Sequence, residues 1–243
     1  MESILFSNHY DNYFQFVNKC KELALLDYVE FTAIEDVLGI PSVFLVGKNG
    51  IYLSNDGETL VNKDEPFINV YNDMIDFYGY HLEVVYALCK DILDNADFIK
   101  YDEDKFQVNV YTKIYGGIYK HPEVDIIPSA TPLIANLKEY PEYIPMNDII
   151  VYDMEVNGSF LNFDIVRSIC EEAGLDCGVE LHRGLLNTFA NKLDLELSKV
   201  PGKFGLPPID NNEMYGIIVR PVQTLLDGTE NRLYLKKENK DYE

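Results

Sequence analysis

The chain has 243 residues and a mass of 27.9 kDa, and its 20 Lys and Arg face 41 Asp and Glu, a formal charge of −21. A pI near 4.4 disfavours a broad basic face for nucleic acid and adsorption to an anionic membrane, while leaving room for a local basic groove. An apolar fraction of 47%, with 18 Tyr and 13 Phe, is enough to bury a sizeable core and argues against global disorder. No apolar run approaches the roughly 18–20 residues of a membrane span, and the N-terminus lacks a basic stretch followed by an apolar one. Cys20, Cys89, Cys170 and Cys177 are dispersed without a CxxC pair, the expected pattern of reduced, buried thiols in a cytoplasmic protein.

In chain order, residues 9–27 space Tyr13, Phe14, Phe16, Val17, Leu23 and Leu26 at helical intervals, and Tyr28 to Ile34 alternates as a strand. Ser42 to Val46 and Ile51 to Leu53 flank Gly47-Lys48-Asn49-Gly50. Asn-Gly between apolar runs predicts a tight hairpin whose two central positions need positive φ. A second turn is expected at Asp56-Gly57. Phe67 to about Leu93 is the longest helical candidate, with Gly79 as a candidate break. Phe106 to Ile114 alternates again and meets Gly116-Gly117, and residues 120–147 hold five of the 11 prolines and read as loop. Ile149 to Val156, the turn Asn157-Gly158 and Ser159 to Phe163 form another expected hairpin. Asp164 is the expected cap of a helix through Val166, Ile169, Cys170 and Ala173 that stops near Gly174. Met214 to Val219 and Arg232 to Lys236 are the last expected strands. Hairpins outnumber crossover helices, which predicts an α+β fold with mainly antiparallel sheets.

Generic motifs are absent. Histidines 9, 81, 121 and 182 are too dispersed for a local metal site, no HExxH or paired-cysteine spacing occurs, and there is no P-loop, GxGxxG or GxSxG elbow. No metal-ligating residues are predicted, and with 41 carboxylates no acid–base couple stands out.

Three segments together resemble the covalent nucleotidyltransferases, and among them the RNA ligases of the second phage class and the kinetoplastid editing ligases. Leu206-Pro-Pro-Ile-Asp-Asn-Asn-Glu-Met-Tyr-Gly-Ile-Ile-Val-Arg-Pro221 matches that family at Gly216, Arg220 and Pro221. Val110 to Tyr119 is similar to the strand that enters a Gly-Gly turn. Ile150 to Gly158 is similar to an aromatic-Asp strand whose ring, here Tyr152, stacks on adenine. Ala33-Ile-Glu-Asp-Val-Leu-Gly39 sits where the nucleophile motif belongs, and Leu233 to Lys237 where the final lysine motif belongs. The resemblance implies a ligase-type nucleotidyltransferase (ATP-grasp-like) fold over residues 1–243 as a single domain, without the C-terminal domain of longer ligases. It also leans toward a viral, phage-like origin.

The resemblance further implies a reaction this chain is poorly equipped for. The family lysine attacks the α-phosphorus of ATP to form lysyl-AMP, and its position is held by Asp36, a carboxylate that repels the triphosphate. The neighbouring Glu35 fits the family. The downstream arginine falls near Asn55 or Asp56, the glutamate before the Gly-Gly turn is Lys113, and the glutamate beside Gly216 is Tyr215, with Glu213 nearby. The two lysines of the last motif align with Leu235 and Lys237, or with Lys236 after a shift of one. Lys48, in a hairpin tip open to solvent, is a poor substitute nucleophile. By the family pattern, Asp36 and Lys113 reverse each other's charge, and the expectation is a reversed ion pair.

Three functions follow from this reading. The first is a catalytically inactive, RNA-ligase-like binding or regulatory protein that retains Glu35, Tyr152, Arg220, Lys236 and Lys237 as nucleotide-binding candidates. Its acidic surface fits a protein partner, with RNA admitted only through a local groove. The second is an active RNA ligase that uses ATP and Mg2+ to seal 3′-OH and 5′-phosphate ends. The third is a noncovalent nucleotide sensor.

Overall fold

The computed structural model describes residues 10–54, 57, 59–62, 65, 67–95, 101–133, 140–189, 193–228 and 231–239. In chain order the elements are α1 (Tyr13–Glu22), β1 (Glu30–Asp36), β2 (Ile40–Gly47), β3 (Gly50–Ser54), α2 (Ile68–Asp94), β4 (Gln107–Gly116) and β5 (Asn147–Val156). They continue with β6 (Ser159–Phe160), α3 (Phe163–Ala173), β7 (Glu180–Leu185), α4 (Leu186–Phe189), α5 (Val200–Lys203), β8 (Gly216–Pro221) and β9 (Leu235–Glu238). The chain divides into two compact units. Among the described residues, one holds Ile40–Ile114 and Asp148–Cys177; the other holds residues 10–39, Tyr115–Asn147 and the chain from Gly178.

The first unit is built on a five-stranded sheet in the order β3-β2-β4-β5-β6, with β3, β2 and β4 paired antiparallel. The Gly47↔Gly50 pair closes the expected hairpin. Its central residues are Lys48 and Asn49, however, and the positive φ falls on Gly50 at 124°, which corrects the assignment of that conformation to the two central positions. Asn157 and Gly158 do both adopt positive φ, 49° and 83°, as a two-residue β5–β6 turn demands. Helix α2 runs unbroken through Gly79 for 27 residues and packs on β2, β3 and α3. It survives the glycine because Val70, Tyr71, Met74, Leu82, Val85 and Cys89 bury a continuous face on both sides of it. Asn162, not Asp164, is the N-cap of α3. The strand before it stops at Phe160, and Asp164 lies in the first turn, where its charge complements the helix dipole. Gly174, at φ 70°, ends that helix as expected.

The second unit is built on a four-stranded sheet in the order β7-β1-β8-β9. Strand β1 pairs antiparallel with both β7 and β8. One face of this sheet buries Phe31, Ala33, Ile217, Val219 and Leu235 against Phe16 and Cys20 of α1. Asn12 caps α1 by accepting from the Phe14 amide at 2.9 Å. Strand β7 has no counterpart among the expected strands. Its sequence, Glu-Leu-His-Arg-Gly-Leu, is half-buried except at the exposed Arg183 and lacks apolar alternation. Cys20, Cys89 and Cys170 are buried free thiols, and burial pushes Cys20 and Cys89 up to about 12. No helix among the described residues is long and apolar enough to cross a membrane.

The Gly116-Gly117 turn is fixed by close approach as well as by φ, at 81° and 90°. A Cβ on Gly117 would stand 2.1 Å from the Thr131 carbonyl oxygen, and one on Gly116 2.2 Å from that of Met146. Gly117→Ala therefore destabilises the protein by roughly 3 kcal/mol or more. Gly202→Ala, with nothing within 4 Å of its Cβ, is neutral or stabilises by up to about 1 kcal/mol. Urea unfolding of the two variants beside the wild type measures the contrast.

Candidate functional site

Strand alternation sorts the site residues of the second unit onto two faces. In register, Thr32 opposes Arg220, Ile34 opposes Ile218 and Asp36 opposes Gly216, while Ile218 and Gly216 oppose Lys236 and Glu238 on their other side. Side chains two apart on a strand share a face. Asp36, Arg220, Lys236 and Glu238 therefore share one face of the sheet, opposite the apolar core. Glu35 and Lys237 belong to the core side, as do Ala33 and Leu235.

On the first face, Asp36 is fully buried and its Oδ2 lies 3.7 Å from the Lys236 ammonium. Strand β8 runs between these two residues. The lysine reaches across because Gly216, opposite Asp36, has no side chain there; a Cβ would meet the Lys237 carbonyl oxygen at 2.7 Å and the Asp36 Cβ at 3.5 Å. The same ammonium donates to Glu238 and lies 5.7 Å from the centroid of the Tyr215 ring. The Tyr215 hydroxyl donates to Glu238 at 2.8 Å. Glu238 thus joins Lys236 and Tyr215 through one carboxylate. Arg220 is buried two residues beyond Ile218 on that face. Formally, Asp36, Glu238, Lys236 and Arg220 sum to zero charge. Just beyond Asp36, the Leu38 amide donates to the Tyr143 hydroxyl at 2.8 Å, fixing the exit of β1.

On the core side, Glu35 accepts from the Ser198 hydroxyl at 2.5 Å and the Lys199 amide at 2.8 Å, where the chain turns into α5. Burial raises its carboxyl above the ordinary value of 4.5, against the opposing pull of those two bonds. The Lys237 ammonium donates to the Leu193 carbonyl at 2.6 Å. Glu213 accepts from the Asn239 side chain at 3.1 Å. Of the three residues weighed for the last lysine motif, Leu235 belongs to the core and Lys237 to the core side of the sheet, so Lys236 alone shares the face of Asp36.

In the first unit, the buried Lys113 on β4 places its ammonium 5.5 Å from the ring centroid of the buried Tyr152 on β5, a cation–π contact. The expected pair of Asp36 with Lys113 joins residues of different units; within its own unit Asp36 faces Lys236 and Lys113 faces Tyr152. Asn55 and Asp56, the candidates for the downstream arginine position, lie outside the described residues. Among the described residues no group of three or more His, Cys, Asp and Glu is arranged to hold a metal ion. Sequence reasoning missed Glu238, although its spacing of two from Lys236 on a strand is a sufficient signal. It also missed Ser198 and Tyr143, which only tertiary contact identifies.

No family model matches this sequence, and no curated protein matches it. Solved structures do align with it. A Lys→Met variant of the Naegleria gruberi RNA ligase with AMP and Mn superposes with a TM-score of 0.58 at 11% identity, covering 97% of this chain and 56% of that one. A Glu→Ala variant of that ligase with AMP and Mn gives 0.57, and a Lys→Ala variant with ATP and Mn gives 0.54, at the same identity and coverage. The chain thus spans a little over half the length of the ligases it matches.

Two outcomes follow from the geometry. Lys236→Met removes the ammonium beside the buried Asp36 carboxylate and destabilises the protein by about 3 kcal/mol, and adding Asp36→Asn recovers part of the loss; chemical unfolding of the single and double variants measures it. For Glu35, the folded state holds the proton more tightly than the unfolded chain, so its contribution to stability falls as pH rises from 4.5 through the raised value. Unfolding free energies of wild type and Glu35→Gln between pH 4 and 7 differ by that slope. The sheets, their order and the structural likeness together give this chain the α+β nucleotidyltransferase fold seen in the Naegleria gruberi RNA ligase.

Proposed function

We propose that the chain is an RNA-ligase-like domain that has lost covalent nucleotidyl transfer and acts by binding. The observation that carries this reading is Asp36. It occupies the nucleophile position suggested by sequence resemblance, at the end of β1, and there it is fully buried and engaged by Lys236. A carboxylate cannot form the phosphoramidate on which this chemistry depends. Exchanging a cation for an anion beside a phosphate also turns an attraction of several kcal/mol into a repulsion of similar size.

The other substitutions support the same reading. Lys236, the cation that shares this face, is already held by Asp36 and Glu238, so an incoming phosphate meets two carboxylates along with the ammonium. The Tyr152 ring, the candidate platform for a base, has the Lys113 ammonium on it. Arg220 is the remaining candidate phosphate contact. The charge of −21 favours a protein partner over RNA.

Intact mass spectrometry of the purified protein, before and after incubation with ATP and Mg2+ or Mn2+, tests this reading. The expected result is no AMP adduct under conditions that adenylylate an active RNA ligase. An adduct that pyrophosphate reverses would establish the active-ligase alternative. Thermal stabilisation by ATP without an adduct would establish the noncovalent sensor.

A further inference from the structure

Helix α2 is long, and its outward face has a composition that the nucleotidyltransferase reading does not use. Its 27 residues extend about 40 Å at 1.5 Å per residue. Near its middle, Phe77 is 67% exposed and Tyr80 74% exposed, and their spacing of three places them on one face. Both rings are positioned by their neighbours. Phe77 stands edge-on to Tyr78 at 4.9 Å, and Tyr78 donates through its hydroxyl to Asp148. Tyr80 stands edge-on to His81 at 6.0 Å, and the His81 Nδ1 lies 2.7 Å from the Ala173 carbonyl oxygen at the end of α3. The exposed pair is therefore presented on a side of the helix whose alternate positions are tied into the fold.

Around this pair the surface is acidic. Asp73 lies one turn before Phe77, Glu83 one turn after Tyr80, and Asp76 between them; all three are exposed. Asp91 and Asp94 extend the exposed acidic face toward the C-terminus of the helix. Lys90 is the only lysine in α2, which has no arginine, and it is half-buried. Two large amphipathic rings inside an acidic border form a recognisable kind of surface: aromatic anchors supply contact area, and charge selects the partner.

We propose that the Phe77–Tyr80 face of α2 docks a basic amphipathic segment of another protein. Its apolar side chains cover the two rings, and its Lys and Arg side chains pair with Asp73, Asp76 and Glu83. Charge decides among occupants. A second copy of this chain brings a further −21, and RNA or an anionic membrane brings the same sign, so each is repelled where a basic peptide is attracted. Helix α2 belongs to a different compact unit from Asp36 and Lys236, and the proposal goes beyond the binding reading given above by naming one face and the chemistry of its partner.

A displayed library of random 16-residue peptides is selected on the wild-type protein, and the enriched peptides are synthesised and titrated by fluorescence anisotropy. The expected peptides are net positive, with apolar residues at helical spacing. Their affinity falls at least about tenfold with Phe77→Ser plus Tyr80→Ser, and falls with Asp73→Asn plus Glu83→Gln. It also falls as salt is raised, and is unchanged by Phe14→Ser, a 77% exposed aromatic on α1. Circular dichroism melts confirm that each variant is folded. Failure to enrich basic peptides overturns the proposal, as does equal binding to the Phe77/Tyr80 double variant. A single-stranded RNA that binds this face and is lost in that variant also overturns it. The adenylylation assay reads covalent chemistry and the peptide titration reads noncovalent binding to α2, so the two results separate cleanly.

Discussion

The contact of Lys236 with Asp36 across Gly216 is the constraint around which the candidate site is organised. A buried carboxylate is expensive unless a cation meets it, and here the cation comes from two strands away. That reach requires the intervening strand to carry no side chain at the crossing. The glycine at position 216 is thus explained by packing: a Cβ there would collide with the Lys237 carbonyl oxygen. The Lys236 charge is met inside the protein, with Glu238 and Tyr215 completing the network.

The same logic applies in the other unit, where Lys113 stands over the ring of Tyr152. Both lysines are largely withdrawn from solvent in this way, Lys236 beside the carboxylate of Asp36 and Lys113 over an aromatic face.

The acidic composition has a structural counterpart on α2. Five exposed acids on one face of the helix, with two aromatic rings among them and no exposed lysine or arginine in the helix, make that face locally acidic.

Much of the fold was legible in the sequence because its signals are local. Alternation marked β1, β4 and β5; Asn157-Gly158 and Gly116-Gly117 marked turns that need positive φ; and helical spacing marked α1, α2 and α3. The identity of Asp36 is read directly from the sequence, whereas its burial beside Lys236 is a tertiary fact. Other features depended on contacts far apart in the chain. Strand β7 has no apolar alternation and exists because it pairs with β1, about 150 residues away in sequence. Helix α2 passes through Gly79 because burial on both sides outweighs one poor helix former. The choice of Lys236 over Leu235 and Lys237 is a matter of which side of a sheet each residue faces, and a shift of one residue reverses it. Residue identity determined which charges this chain carries along β1, β8 and β9; sheet register decided which of them meet.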